Sequence, residues 1–208
     1  NFERLNEIAF KMMGKRKSHM EREIGAAYFH GQRTGKGAVQ LRKALVPQDN
    51  SMDDILLCAG MFHDMCKGLE PHSNNAAFLC REVLKNELTE AEMEQVCALI
   101  AAHDKRHPGT DVNTVWEKIL QDADILDHYG SQGIWMSNTY YAYCGQREMA
   151  ALGEFYFNEW DPQCAHDRKK LNFDLSKELF DEKCAFESSV IERMLKEAEG
   201  TLLPLQEK

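Results

Sequence analysis

The residues best suited to chemistry fall in three short stretches. His63 and Asp64 adjoin in GMFHDMCKG, Asp124 and Asp127 lie in LQDADILDHYG, and His30 stands in YFHGQR. On a helical wheel of about 100° per residue, Ile55, Leu56, Ala59, Phe62 and Cys66 share one face. His63 joins that face and Asp64 sits on its flank. In the second stretch Trp116, Ile119, Leu120 and Ala123 define an apolar face. Asp127 falls inside it, Asp124 at its edge, and Asp122 well away, where solvation is expected. A buried Asp needs a compensating partner. A metal ion held by imidazole and carboxylate is one such partner; an Arg, a Lys or backbone donors are the plainer ones. Taken alone, His63 reads as a hydrogen-bonded core histidine.

These side chains must be carried by helices, because helical spacing runs through nearly the whole chain. No strand alternation bounded by Asn-Gly or Asp-Gly occurs. Phe2, Leu5, Ile8, Ala9 and Met12 form a stripe that ends before Gly14. Ser51 with Asp54 resembles a capping box opening a helix to about Cys66, and Asn74 to Asn86 reads as another. Thr89 with Glu92 caps a helix through His103, and a further helix spans Thr114 to Gly130. Asp174 to Glu199 closes the chain, with Gly200 as a stop. Pro47, Pro71, Pro108, Pro162 and Pro204 each fall between periodic segments. The pattern predicts one all-α helical bundle over residues 1–208.

Charge and composition narrow the partners. The 208 residues carry 34 Asp+Glu against 25 Lys+Arg, a net charge of −9, which argues against a nucleic-acid polymer but leaves a small phosphorylated ligand open. The best apolar run, Ile55 to Phe62, is far short of the roughly 20 residues that cross a bilayer, so no membrane association is expected. The first residues have no signal-peptide layout. The seven cysteines are odd in number and nowhere spaced CxxC, which suits reduced thiols in a cytoplasmic setting.

Taken together, His30, the His63-Asp64 pair 33 residues later and Asp124 a further 60 beyond Asp64 resemble the HD-domain superfamily of metal-dependent phosphohydrolases. HDMCKG is similar to that family's HD-x-G-K turn, with Cys66 in place of Gly, and ADILD to its distal AD-x-L-D segment. The resemblance covers about residues 20–145, leaving 146–208 as a helical extension packed on the core. It implies His30, His63, Asp64 and Asp124 as metal ligands. His19, in KSHMER, is the alternative to His30, though HGQR better fits the family's H-x-x-R start. His72 and His103 occupy places where some members carry further histidines for a second metal or for substrate; the plainer reading is exposed loop-edge histidines. Lys67, Arg33, Lys105 and Arg106 are the cations assigned to phosphate, with Arg33 facing the same cavity as His30, although at least two of the four should be plain surface charge. Asp64 and Lys67 form the catalytic pair, and Glu70 is near enough to act as acid or base. His107, His128 and His166 match no family position, although His128 is one turn from Asp124.

The implied activity is hydrolysis of a phosphate ester or anhydride in a small soluble substrate, a nucleotide first among them. The cofactor is a divalent ion, Mn, Fe, Co, Ni, Zn or Mg; one is expected and the extra histidines leave room for two. Lys67 and Gly68 stand where alarmone hydrolases of this family carry Glu-Asp, and no GYP motif is present, which argues against alarmones and cyclic di-GMP as substrates. Two other readings stay open: an HD-fold di-iron oxygenase using His30, His63, Asp64, His72, His103 and Asp124, and a non-catalytic helical module that binds a nucleotide or a partner. The aromatic residues Trp135, Tyr140, Tyr141, Tyr143, Phe155, Tyr156, Phe157 and Trp160 could stack a nucleobase. They read in the first place as core or subunit contact, which leaves room for a homodimer.

Overall fold

The computed structural model describes residues 1–145 and 148–202. Among these the chain is all-α: α1 (Phe2–Met13), α2 (Ala26–Leu45), α3 (Asp53–Phe62), α4 (His72–Leu84), α5 (Glu90–Ala102), α6 (Val115–Asp127), α7 (Ser131–Tyr143), α8 (Met149–Phe155), a π-helical turn (Tyr156–Trp160), α9 (Asp161–Arg168) and α10 (Asp174–Ala198). Pro204 and the end of the expected 1–208 span lie outside the described residues. No described helix is long and apolar enough to cross a membrane.

Local chemistry sets most helix ends. Thr89 and Thr114 each close a capping box, with Glu92 and Glu117, at the starts of α5 and α6. The expected box at Ser51 does not form, because the Ser51 amide and hydroxyl both donate to Asp49 Oδ1, at 2.9 and 2.6 Å. Instead Asp53, in the first turn of α3, pairs with Arg42 in the last turn of α2, placing each charge at the helix end that favours it. α4 starts at His72 rather than Asn74, since the Glu70 carboxylate accepts the His72 amide at 3.0 Å. α6 stops at Asp127, short of Gly130, whose φ of 76° suits only glycine. Pro162 does not separate segments. It sits in the first turn of α9, continuous with the π-helical turn, where the widened register accommodates its missing N–H.

Two packing features position the site. First, α2 and α3 touch backbone to backbone: a Cβ on Gly35 would stand 2.6 Å from the Leu57 carbonyl oxygen, and one on Gly60 would collide with the Gly35 backbone. This seam draws the His30 ring to within 4.9 Å of the His63 ring, centroid to centroid. Second, α6 runs through the middle of the bundle and is buried on all sides from Ile119 to Leu126. Asp122 is therefore not solvated. It is fully buried, and burial raises its pKa while its oxygens accept the amides of Asn172 at 2.9 Å and Phe173 at 3.1 Å. A smaller apolar cluster of Leu152, Tyr156 and Ile191 joins the π-helical turn to α10. Of the aromatic residues expected in the core, only Tyr156 is fully buried; Trp135, Tyr140, Tyr143 and Phe157 are exposed.

Candidate metal centre

The centre is assembled from helix ends. α3 stops at Phe62 rather than running to Cys66, and the chain turns through 3₁₀-like bonds from Met65 N–H to Phe62 O and from Lys67 N–H to Asp64 O. Successive side chains on a continuous α-helix diverge by about 100°. After this turn, His63 Nε2 and Asp64 Oδ1 lie 3.8 Å apart. Asp124 arrives from the last turn of α6, His30 from α2, His72 from the first turn of α4 and His103 from the cap of α5. All six side chains are buried, so His72 and His103 are not the loop-edge histidines of the plainer reading.

The imidazoles share one logic. His63 Nδ1 lies 2.8 Å from the Gly60 carbonyl and His103 Nδ1 2.7 Å from the Ile100 carbonyl. A carbonyl only accepts, so each ring carries its proton on Nδ1 and turns a bare Nε2 inward. His72 does the same with Nδ1 on Glu70, at 2.9 Å, which makes exposed Glu70 an orienting partner of His72. His30 Nδ1 lies 2.7 Å from Asp127 Oδ2 and its Nε2 3.0 Å from Asp124 Oδ1. Such outer partners on the far nitrogen are the usual companions of metal-ligating histidines.

Apart from His30 Nε2, which bonds to Asp124, the inward atoms do not satisfy one another. His63 Nε2 is buried without a hydrogen-bond partner, yet it stands 3.5 Å from Asp124 Oδ1. His72 and His103 present their Nε2 atoms to each other at 3.3 Å, with Asp64 Oδ1 at 3.5 and 3.6 Å. Lone pairs facing lone pairs in a buried space call for a cation, and the donor set of imidazole nitrogens and carboxylate oxygens fits a divalent one. Two overlapping triads have donor atoms that all lie within 4.8 Å: His30, His63 and Asp124, and His63, Asp64 and His103. The local potential is negative. Burial lowers the proton affinity of His30, but the hydrogen bonds from Asp124 and Asp127 outweigh it and raise its pKa to about 9. Burial also opposes ionisation of Asp64 and Asp124, yet the Lys67 charge beside Asp64, and the His30 hydrogen bond with the Arg106 charge at Asp124, hold both carboxyls well below the usual range.

The expected cations are divided. Lys67 Nζ lies 3.4 Å from Asp64, and Arg106 donates to Asp124 Oδ2 from its terminal nitrogen. Arg33 grips Asp127 with two bonds, at 2.8 and 2.9 Å, and faces a groove beside Leu126 and Leu179, turned from the metal cavity it was expected to face. Asp127 is thus a partly buried acid held by an arginine. Lys105 is exposed and donates to Asn74 at 2.7 Å, outside the cavity. His19 lies at the mouth of the centre rather than in either triad, and His107 and His166 are exposed. His128 donates from Nδ1 to the Asp124 carbonyl at 3.0 Å and packs its ring 4.6 Å from that of His30. Burial and the nearby His30 charge push its pKa down to about 4, so it is neutral.

Sequence reasoning missed Arg22, and it named Tyr140, Phe155 and Trp160 as residues that could stack a nucleobase without foreseeing the cavity of about 410 Å³ in front of the centre that they wall. The basic run KRKSHMER carried a signal for Arg22; the cavity depends on packing between distant helices and left no local one.

Comparison with known proteins gives the same picture. The sequence has no significant match among curated proteins. Solved structures match over almost the full length. Bacillus subtilis YpgQ, solved in complex with ADP, aligns with a TM-score of 0.60 at 18% identity, covering 97% of this chain and 98% of that one. An HD superfamily hydrolase from an uncultured Thermotogales bacterium gives 0.63 at 15% identity over 94% and 92% of the two chains. Another, from Bacillus thuringiensis, gives 0.63 at 17% over 96% and 99%. At such identities the likeness speaks for the fold. The HD domain family itself matches residues 19–129, more than half of the sequence, and the chain belongs to that family.

Proposed function

We propose that this protein is a metal-dependent phosphohydrolase that cleaves a phosphate ester or anhydride of a small substrate, with nucleotides the favoured class. The observation that carries the reading is the buried, unpartnered Nε2 of His63 facing the Asp124 and Asp64 carboxylates beside the paired Nε2 atoms of His72 and His103. His30, His63, Asp64 and Asp124 would hold a first divalent ion, and His72 and His103 would share Asp64 with a second. A bound ion supplies Lewis-acid polarisation of a phosphoryl oxygen and a water whose pKa falls toward ~7.

The chain's own groups do the remainder. Asp64 orients the attacking water through its carboxylate. Lys67, 3.4 Å from Asp64, is placed to offset charge on the phosphoryl oxygens. Arg106 fixes Asp124, and Arg33 fixes Asp127, which in turn holds the His30 ring. Arg33 and Lys105 therefore receive no role at the phosphate. We also read residues 1–208 as one domain, in which the helices after residue 145 cover the HD core. The ADP carried by YpgQ, whose fold this chain shares, supports a nucleotide.

The test is metal analysis joined to a phosphatase screen over nucleotides and sugar phosphates. Chelation should remove activity, Mn or Co should restore it, and His63→Ala should lack it. Protein that retains no divalent ion and hydrolyses no phosphate would overturn the reading. Asp64 Oδ1, at 3.8, 3.5 and 3.6 Å from the Nε2 atoms of His63, His72 and His103, is placed to be shared by two ions, which favours a dinuclear centre and hence an HD-fold di-iron oxygenase as second reading. A mixed-valent iron spectrum after aerobic loading would favour it over hydrolysis.

A further inference from the structure

The cavity in front of the metal centre changes character along its length. A small throat of about 40 Å³ reaches His30 and Asp64. It shares His19, Arg22, Lys67 and His128 with the 410 Å³ cavity beyond, so the two are continuous. The cations Arg22 and Lys67 stand at the throat, where an anion next to the metal centre would lie. Farther out the walls are aromatic: Tyr140 and Phe155 stack at 5.2 Å with 29° between their planes, and Trp160 stands beside them. No lysine or arginine lines this outer part; Glu159 and Gln163 border it instead.

Two polar groups line this space. Ser137 Oγ is buried in the α7 wall without a hydrogen bond. His128 spends its Nδ1 proton on the Asp124 carbonyl, which leaves its Nε2 a fixed acceptor on a ring that lines the junction of throat and cavity. A ligand matching this sequence has an anionic end, then a hydroxyl donor, then a flat ring. The size of the cavity suits a small organic molecule, and stacking on aromatic side chains selects planar rings.

We infer that this cavity receives the leaving group of the substrate, and that the leaving group is a nucleoside: its base stacks on Tyr140, Phe155 and Trp160, and a sugar hydroxyl donates to His128 Nε2. The inference rests on the phosphohydrolase reading and deepens it. Its aromatic walls, Tyr140, Phe155 and Trp160, lie beyond the 19–129 family match, whereas the throat and His128 belong to it, so selection of the base is written in the segment from α7 to the π-helical turn.

The test uses the metal-loaded protein and the 5′-methylenephosphonate analogue of AMP, whose P–CH2 bond replaces the P–O bond that would release the nucleoside, against ribose 5-phosphate, followed by calorimetric titration. The nucleotide analogue should bind more tightly than the sugar phosphate, and Tyr140→Ala should weaken it by about 5- to 150-fold, the range of one lost stacking contact. In turnover, Tyr140→Ala should lower the kcat/KM ratio of nucleotide to ribose 5-phosphate through KM. His128→Phe, with its metal content checked, should abolish discrimination between a nucleotide and its 3′-deoxy form, and His128→Gln should partly restore it. Equal affinity for the two probes, or Tyr140→Ala binding the analogue as the parent does, would overturn the inference while leaving hydrolysis standing. Tight, Tyr140-dependent binding without hydrolysis of any phosphate would overturn the phosphohydrolase reading, and the leaving-group role with it, and leave the cavity as a nucleoside-binding site.

Discussion

The two ends of this cavity are held in different ways. At the metal end, each inward-facing imidazole has a second contact that fixes its ring: Gly60, Ile100 and Glu70 for His63, His103 and His72, and Asp127 for His30. At the outer end, Tyr140 is exposed and stacks on a neighbour, and Trp160, packed on Tyr129, makes a single side-chain hydrogen bond, from Nε1 to Glu187 at 2.8 Å. Glu187 is fully buried and also accepts the Gly130 amide. A centre that must hold a cation in fixed geometry gains from such redundancy. A wall that meets substrates of differing shape is better served by few anchors.

The contrast can be broken most directly at its rigid end. Asp64→Ala should lower hydrolysis by at least about 100-fold and reduce bound metal measured by elemental analysis, since even outer-shell losses cost 10- to 100-fold. Asp127→Asn should weaken metal affinity by roughly 10- to 100-fold, because it loosens His30 without removing a ligand; unchanged affinity in a metal competition titration would show that Asp127 serves only Arg33. Gly35→Ala should cost about 1–3 kcal/mol by overpacking the α2–α3 seam, read as a lower Tm, with metal affinity falling alongside as His30 and His63 separate.

The outer end gives smaller effects. Burial raises the Glu187 pKa from 4.5 to about 7, against the hydrogen bonds from Trp160, Gly130 and Tyr156 and the Lys183 charge one turn away. An acid with a raised folded pKa keeps its proton more tightly when folded, so its contribution is full below about pH 4.5 and is lost as pH rises through about 7. Tm across that window should therefore decline less in Glu187→Gln than in the parent; parallel curves would refute the shift. Lys105→Ala should leave stability within about 0.5 kcal/mol and turnover near the parent value, as expected of an exposed group.

What the sequence made legible follows from how local each signal is. The capping box at Thr89 involves residues three apart and forms as expected, and the helix expected from Thr114 starts there on a box of the same kind with Glu117. The His63-Asp64 doublet and Asp124 stand out because polar groups interrupt apolar faces. Asp122 was misjudged because a wheel assumes one buried face, whereas α6 is enclosed on all sides and the Asn172–Phe173 segment closes over it. Arg33 lies one turn from His30 on the same helix, but nothing local reveals that Asp127, 94 residues away, captures it. The π-helical turn and the cavity that Tyr140, Phe155 and Trp160 enclose depend on helices meeting across the bundle, for which spacing within one segment offers no cue.

The backbone carbonyls that fix His63 and His103 have a further consequence. Each belongs to the residue three positions earlier in the same chain segment. Ring orientation is therefore written into the helix end itself and arrives with folding, before any ion does. Little conformational entropy is left to lose on metal capture. Core side chains around α3 and α5 can then drift in evolution without retuning these two ligands, provided that the two helices still end where they do.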